Sequence, residues 1–118
     1  MKRFTIGIIG AGTVGTGVYQ LLKRKHAHLQ KVAGVDIRVK LVCDVDKKKL
    51  RACGIRSQCQ TRRYQDVLGD GDIQCVVELI GGIHPADRII IATANISGAA
   101  LLTRDEKILK YPNVETIW

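Results

Sequence analysis

Aromatic side chains are scarce in this chain, at 4% of 118 residues, and so are long apolar runs. A nucleic-acid surface of the usual kind interleaves stacking aromatics with a stripe of cations. Here the basic residues fall in scattered short groups instead, so a net charge of +8 does not point to nucleic acid. No stretch approaches the length of a membrane span. The cysteines are Cys43, Cys53, Cys59 and Cys75, with no C-x-x-C pair and no histidine at metal-ligand spacing from them. Zinc and redox-dithiol chemistry are therefore not indicated, and buried thiols are expected. Met1-Lys2-Arg3 offers the positive start of a secretory signal, but the apolar stretch behind it is one strand long and runs into glycines rather than a cleavage site. A cytoplasmic location is the expectation.

What is present is ordinary for a globular protein: 46% apolar and 25% charged residues. The length fits one domain, residues 1–118, and is too short for a nucleotide domain followed by a substrate domain. The charge is uneven. Residues 1–60 hold 13 Lys and Arg against 3 acids, whereas the second half is slightly acidic. Attraction of a polyanionic small molecule to the basic half accounts for this imbalance as well as solubility does.

The strongest motif lies in that basic half. Ile6 to Gly17 reads I-G-I-I-G-A-G-T-V-G-T-G, an apolar run that breaks into Gly10, Gly12 and Gly15 and passes into an amphipathic pattern. Gly10 permits a sharp turn off a buried strand, Gly12 lets backbone approach a pyrophosphate, and Gly15 allows close packing of helix on strand. A helix starting near Thr13 leaves its first amides unpaired. Together with the positive end of the helix dipole they attract an anion. The spacing alone is weak evidence; a strand before it and a helix after it are the context that supports dinucleotide binding.

Strand and helix signals alternate along the rest of the chain. Phe4–Ile9 is β-branched and apolar, as in a strand buried on both faces. Val18, Leu21, Leu22, Leu29 and Val32 recur at helical spacing, predicting one helix from Thr13 to near Gly34, with His26 and His28 on its solvated side. Ile37–Cys43 is a second strand, and Asp44 just beyond it stands where this architecture touches an adenosine ribose. Asp46 caps a short helix through Leu50 and Arg51 that ends at Gly54. A short strand is expected at Gln58–Thr61, a helix at Arg63–Leu68, a turn at Gly69–Asp72, and a buried strand at Ile73–Ile80. The fold class is α/β: a Rossmann-type doubly wound parallel sheet in a single three-layer domain.

The string V-V-E-L-I-G-G at Val76–Gly82, with the opening I-G-I-I-G-A-G-T-V-G-T-G-V and the long first helix, resembles the N-terminal nucleotide domain of homoserine dehydrogenases. The resemblance covers about Phe4 to Pro85. It implies an NAD or NADP cofactor and, in the complete enzyme, hydride transfer between aspartate semialdehyde and homoserine. By the same resemblance Gly10, Gly12, Thr13, Val14 and Gly15 would hold the pyrophosphate, while Ile80, Gly81 and Gly82 would lie beside the nicotinamide ribose. Glu78 sits in an apolar strand and reads equally well as a hydrogen-bonded structural carboxylate or a catalytic one; no catalytic residue is assigned.

After Pro85 two alignments with the family compete. In one, Ile89–Asn95 is the next strand, Ile96 takes the position of the family's reaction-centre lysine, and Val114–Trp118 becomes a final strand. In the other, Pro85–Ser97 is a crossover helix ended by Gly98, Ala99–Thr103 is the strand, and Glu106 takes the lysine position. The second has the better chain geometry, because the first leaves too few residues for a parallel crossover. Neither supplies the lysine, and the family's substrate domain has no counterpart here.

Two functions remain open: a cofactor domain of a homoserine-dehydrogenase-like enzyme, unable to turn over alone, or a nucleotide-sensing interaction module that pairs with another chain or with itself. On cofactor choice, Asp44 favours the free ribose hydroxyls of NAD, whereas Lys47, Lys48 and Lys49 could hold the extra phosphate of NADP. NAD is slightly preferred.

Overall fold

The computed structural model describes residues 1–80, 100–103, 106–110 and 115–117. Within them the strands β1 (Arg3–Ile9), β2 (Asp36–Cys43), β3 (Gln60–Thr61), β4 (Cys75–Glu78), β5 (Ala100–Thr103) and β6 (Thr116–Ile117) form one sheet in the order β3-β2-β1-β4-β5-β6. Every neighbouring pair is parallel. The helices are α1 (Thr13–Arg24), α2 (His26–Ala33), α3 (Lys47–Ala52), α4 (Tyr64–Leu68) and α5 (Glu106–Leu109), with a 3-10 turn at Ser57–Cys59.

Burial is on both faces of the sheet, which explains the near-continuous apolar composition of the central strands. On one face Ile6, Ile8 and Val42 pack with Leu50 of α3 and with Val18, Tyr19 and Leu22 of α1. On the other, Ile9, Cys43 and Val76 pack with Val67 of α4 and with Ile73. Gly7 makes the second layer possible, since a Cβ there would lie 2.5 Å from Val67 Cγ1 and 2.9 Å from Ile73 Cδ1. The result is the expected three-layer doubly wound α/β arrangement.

Several elements differ from the sequence expectation. The helix predicted as one piece to Gly34 is two. Lys25 leaves helical geometry (φ −99, ψ 14) while its N–H still donates to the Leu21 carbonyl and its carbonyl still accepts from Leu29. The break accompanies a contact that takes His26 out of full solvent exposure: its Nε2 lies 2.7 Å from Asp36 Oδ1 at the start of β2. His28 is exposed as expected. The strand expected over Ile73–Ile80 pairs only from Cys75 to Glu78. Register also slips between Ile6 and Gly7, which pair with Val39 and Leu41 and leave Lys40 as the extra residue of a bulge. Lys40 Nζ turns to Asp70 and Asp72, at 2.9 and 2.8 Å, and these two carboxylates raise its pKa.

The strand expected at Ala99–Thr103 is present as β5, parallel to β4. The final strand that belonged to the rival alignment is present too, as β6 beside β5. Both fit because roughly a dozen residues, including α5, separate them, enough for a parallel crossover. Ile89–Asn95 and Pro85–Ser97 lie outside the described residues, as do Gly81 and Gly82.

Asp36 is 9% exposed and accepts from Arg38 Nε at 2.9 and 3.0 Å as well as contacting His26. The hydrogen bond with His26, then Arg38, hold its carboxyl below the ordinary value of 3.8. A carboxylate depressed in the folded state stabilises above its unfolded pKa, and that stability disappears as pH falls through the folded pKa. Melting curves from pH 7 to pH 3 should therefore show Asp36→Asn already destabilised at pH 7 but with a shallower acid limb than the wild type. Parallel curves would remove Asp36 from the acid response.

Candidate functional site: a cleft at the carboxyl ends of the parallel strands

The site is built around the turn that leaves β1. Gly10 has φ +108, a conformation that side chains with a Cβ rarely adopt, and its N–H donates to the Cys43 carbonyl at 2.7 Å. A Cβ on Gly15, in the first turn of α1, would overlap the Gly10 carbonyl oxygen, so the helix can sit on the turn only because both positions lack side chains. Gly12 is the N-cap of α1 and makes no side-chain cap, and the first turn holds no acidic residue. A Cβ on Gly12 would meet nothing within 4 Å among the described residues. Thr13 and Val14 are exposed, and the N–H groups of Thr13, Val14 and Gly15 have no hydrogen-bond acceptor among the described residues, which leaves them able to receive an anion.

Beside this entrance lies a cleft of about 490 Å³ bordered by Gly10, Gly12, Asp44, Lys49, Arg62 and Ile80, with Val45, Tyr64 and Leu79 adding apolar surface. The sequence-expected Gly10, Gly12, Asp44 and Ile80 are thus brought together. Asp44 is already engaged: Oδ2 accepts the Ala11 N–H at 2.8 Å and Oδ1 accepts the Asp46 N–H at 2.9 Å. A carboxylate offers about four acceptor positions, so capacity remains for hydroxyl donors. Asp46 caps α3 as expected, accepting the Lys48 N–H at 2.8 Å. The lysine run divides: Lys49 borders the cleft, while Lys47 borders an adjoining groove with Arg51.

Arg62 and Tyr64 were not anticipated. Arg62 follows β3 directly and donates from Nε to the Val45 carbonyl at 3.2 Å, which lays it along the cleft rim. The signal was available, because in such sheets the residue after each strand's carboxyl end faces the crevice. Burial in the cleft wall pushes the Cys43 thiol up to about 11, with Asp44 and Asp66 adding to the effect. It stays neutral near pH 7. Cys53 and Cys75 are also buried, and no His, Cys, Asp and Glu group among the described residues could hold a metal.

A parallel sheet whose order reverses beside β1, with an uncapped helix entrance and a carboxylate at the end of β2, defines a dinucleotide-binding domain of the Rossmann class. Comparison with known proteins gives the family. The sequence pattern "Homoserine dehydrogenase, NAD binding domain" matches residues 10–109, so this chain belongs to the homoserine dehydrogenase NAD-binding domain family. The homoserine dehydrogenase of Bacillus subtilis is 30% identical over 91 residues, covering 77% of this chain and 21% of that protein. The solved homoserine dehydrogenase of Thiobacillus denitrificans superposes with a TM-score of 0.82 at 34% identity, over 92% of this chain and 25% of that one. Levoglucosan dehydrogenase, solved with NADH, has a TM-score of 0.66 at 17% identity over 86% of this chain and 27% of that chain, and shows the fold alone. The chain spans about a quarter of the length of the curated relatives it matches. No helix among the described residues is long and apolar enough to cross a membrane.

Glycine substitutions separate packing from propensity. Gly15→Ala should cost about 1–3 kcal/mol through overlap with the turn, whereas Gly17→Ala, with no neighbour within 4 Å of its Cβ among the described residues, should stabilise α1 by about 0.5–1 kcal/mol. Urea denaturation of both variants checks this. Equal effects would show that α1 does not rest on Gly10.

Proposed function

We propose that the cleft holds the dinucleotide lengthwise, with the pyrophosphate on the amides of Thr13, Val14 and Gly15 and the adenosine ribose at Asp44. Ile80 stands at the nicotinamide end, and the family resemblance assigns Gly81 and Gly82 to the nicotinamide ribose. The observation that carries it is the entrance of α1: among the described residues Gly12 leaves room for an anion and no side chain caps the first amides. Val45 and Tyr64 offer apolar surface to the adenine, and Lys49 and Arg62 add cationic charge at the rim.

In the complete enzyme we propose that this domain serves hydride transfer between aspartate semialdehyde and homoserine. The bound nicotinamide would supply or accept the hydride. The residues of this chain bind it, orient it and keep water from one face. Holding the substrate carbon against the nicotinamide provides much of such a rate, and we assign that task to elements other than those described, so this chain alone binds cofactor without turnover. A cytoplasmic location accompanies this reading. Val14 and Leu21, seven residues apart on α1 and 53% and 50% exposed, give the chain a face for pairing with a second copy. A strict monomer by multi-angle light scattering would remove that part.

We assign NAD over NADP by a small margin, because Asp44 can accept from both ribose hydroxyls and repels a 2′-phosphate, while Lys49 and Arg62 moderate that repulsion. NADH titration followed by fluorescence or calorimetry is the test, and absence of any response at millimolar cofactor would end the reading. Asp44→Ala should weaken NAD binding by about tenfold, in line with loss of a charged hydrogen bond, and weaken NADP binding less. Equal losses would show that the carboxylate serves the loop and not the ribose.

A further inference from the structure

Glu78 closes β4 and is 2% exposed, yet the cofactor reading gives it no task. The rest of its strand, Cys75-Val76-Val77, is buried and apolar. Its Oε1 accepts the N–H of Ile80 at 2.7 Å, so the side chain curls back onto its own backbone two residues on. The preceding amide, Leu79 N–H, donates to the Ile9 carbonyl at 2.8 Å. Two successive amides of the turn leaving β4 are thus fixed, one by the β1 backbone and one by Glu78.

The peptide between Leu79 and Ile80 is the one that abuts the glycine turn. A Cβ on Gly10 would lie 2.9 Å from Leu79 C and 3.1 Å from Ile80 N. Leu79 and Ile80 also border the cleft. Asp44 makes a matching contact on the opposite side of β1, where it accepts the Ala11 N–H. The two carboxylates therefore flank the same turn from β2 and from β4, each holding a different wall of the cleft.

We propose that Glu78 is a positioning residue for the nicotinamide half of the cofactor. By holding the Ile80 amide it seats the Leu79–Ile80 peptide against Gly10, and the wall beneath the nicotinamide ribose is set before ligand arrives. Without an acceptor, the Ile80 amide would either lose its hydrogen bond or rotate toward water, and the wall would shift with it. The adenosine half is set separately by Asp44. The inference rests on the dinucleotide reading above.

The test compares NADH with ADP, which carries the adenosine and the diphosphate but no nicotinamide riboside, on the full 118-residue chain. Calorimetry on the wild type, Glu78→Gln and Glu78→Ala gives both affinities. Glu78→Ala should lose about tenfold in NADH affinity while ADP affinity stays within about twofold, and Glu78→Gln, which keeps an acceptor oxygen, should recover most of the loss. If the alanine variant does not fold, Glu78→Leu, which fills similar space but offers no acceptor oxygen to the Ile80 amide, should show the same selectivity for NADH. Equal losses for the two ligands, or unchanged NADH binding in a folded variant, would overturn the positioning role. A wild type that binds neither ligand would instead overturn the dinucleotide reading on which it depends.

Discussion

The close seating of α1 on the turn at Gly10 is the constraint from which the rest of this structure follows. The turn needs a positive φ at Gly10, and the helix approaches so near that Gly15 can carry no side chain. Once that contact exists, the first amides of α1 are held at the carboxyl edge of the sheet, beside the ends of β2 and β4. The glycine turn is then braced from both sides: Gly10 N–H on the Cys43 carbonyl, Ala11 N–H on Asp44, and the Leu79–Ile80 peptide packed against Gly10. An anion site made of backbone amides has no side chain to reorganise, so its affinity depends on how well the backbone is held.

The acidic residues in the basic half are engaged within the scaffold. Residues 1–60 contain Asp36, Asp44 and Asp46 as their only acids. Asp36 ties the start of β2 to His26 and Arg38, Asp44 accepts from Ala11 and Asp46 amides, and Asp46 caps α3. Lys40, in the β2 bulge, is satisfied by Asp70 and Asp72 from the other half. Lys49 and Arg62 at the cleft rim have no ion-pair partner among the described residues, and their field falls on the cleft. The charge imbalance seen in the composition is therefore local in effect: the acids stabilise the scaffold, and the remaining cations favour a polyanionic ligand.

Legibility in the sequence followed from how local each cause is. The β1–glycine–α1 unit, β2 with Asp44 behind it, and the Asp46 cap all follow from neighbouring residues. The break at Lys25 is not marked by glycine or proline, and its partner, Asp36, lies ten residues away, so the helical period ran through it. The bulge at Lys40 depends on carboxylates about thirty residues distant. Gly7 reads as an interruption of an apolar strand until Val67 and Ile73 are seen against it. Arg62 reads as surface charge until β3 is placed at the sheet edge and its carboxyl end beside the cleft. After Pro85 one alignment carries a strand at Ala99–Thr103 and its rival a final strand at Val114–Trp118, whereas the sheet uses Ala100–Thr103 and Thr116–Ile117 together.

Topology decides where the cleft must be, and a few side chains decide what it can take. From β1 the chain moves outward through β2 to β3, with α1 and α3 packed on one face, then returns past β1 to β4 with α4 packed on the other. The direction of winding therefore reverses at β1, and in sheets of this kind the crevice lies outside the carboxyl ends of the strands at that point. Gly10 and Ile80 meet at that point because β1 and β4 are neighbours in register, Ile9 opposite Glu78. A fold shared at 17% identity with levoglucosan dehydrogenase can carry the same crevice, since the crevice belongs to the winding order. Selectivity within it has to come from residues at the strand ends, and here those are Asp44 after β2, Arg62 after β3 and Glu78 at the end of β4. In the proposed binding mode each serves a different part of an extended ligand, which is why their contributions can be measured separately.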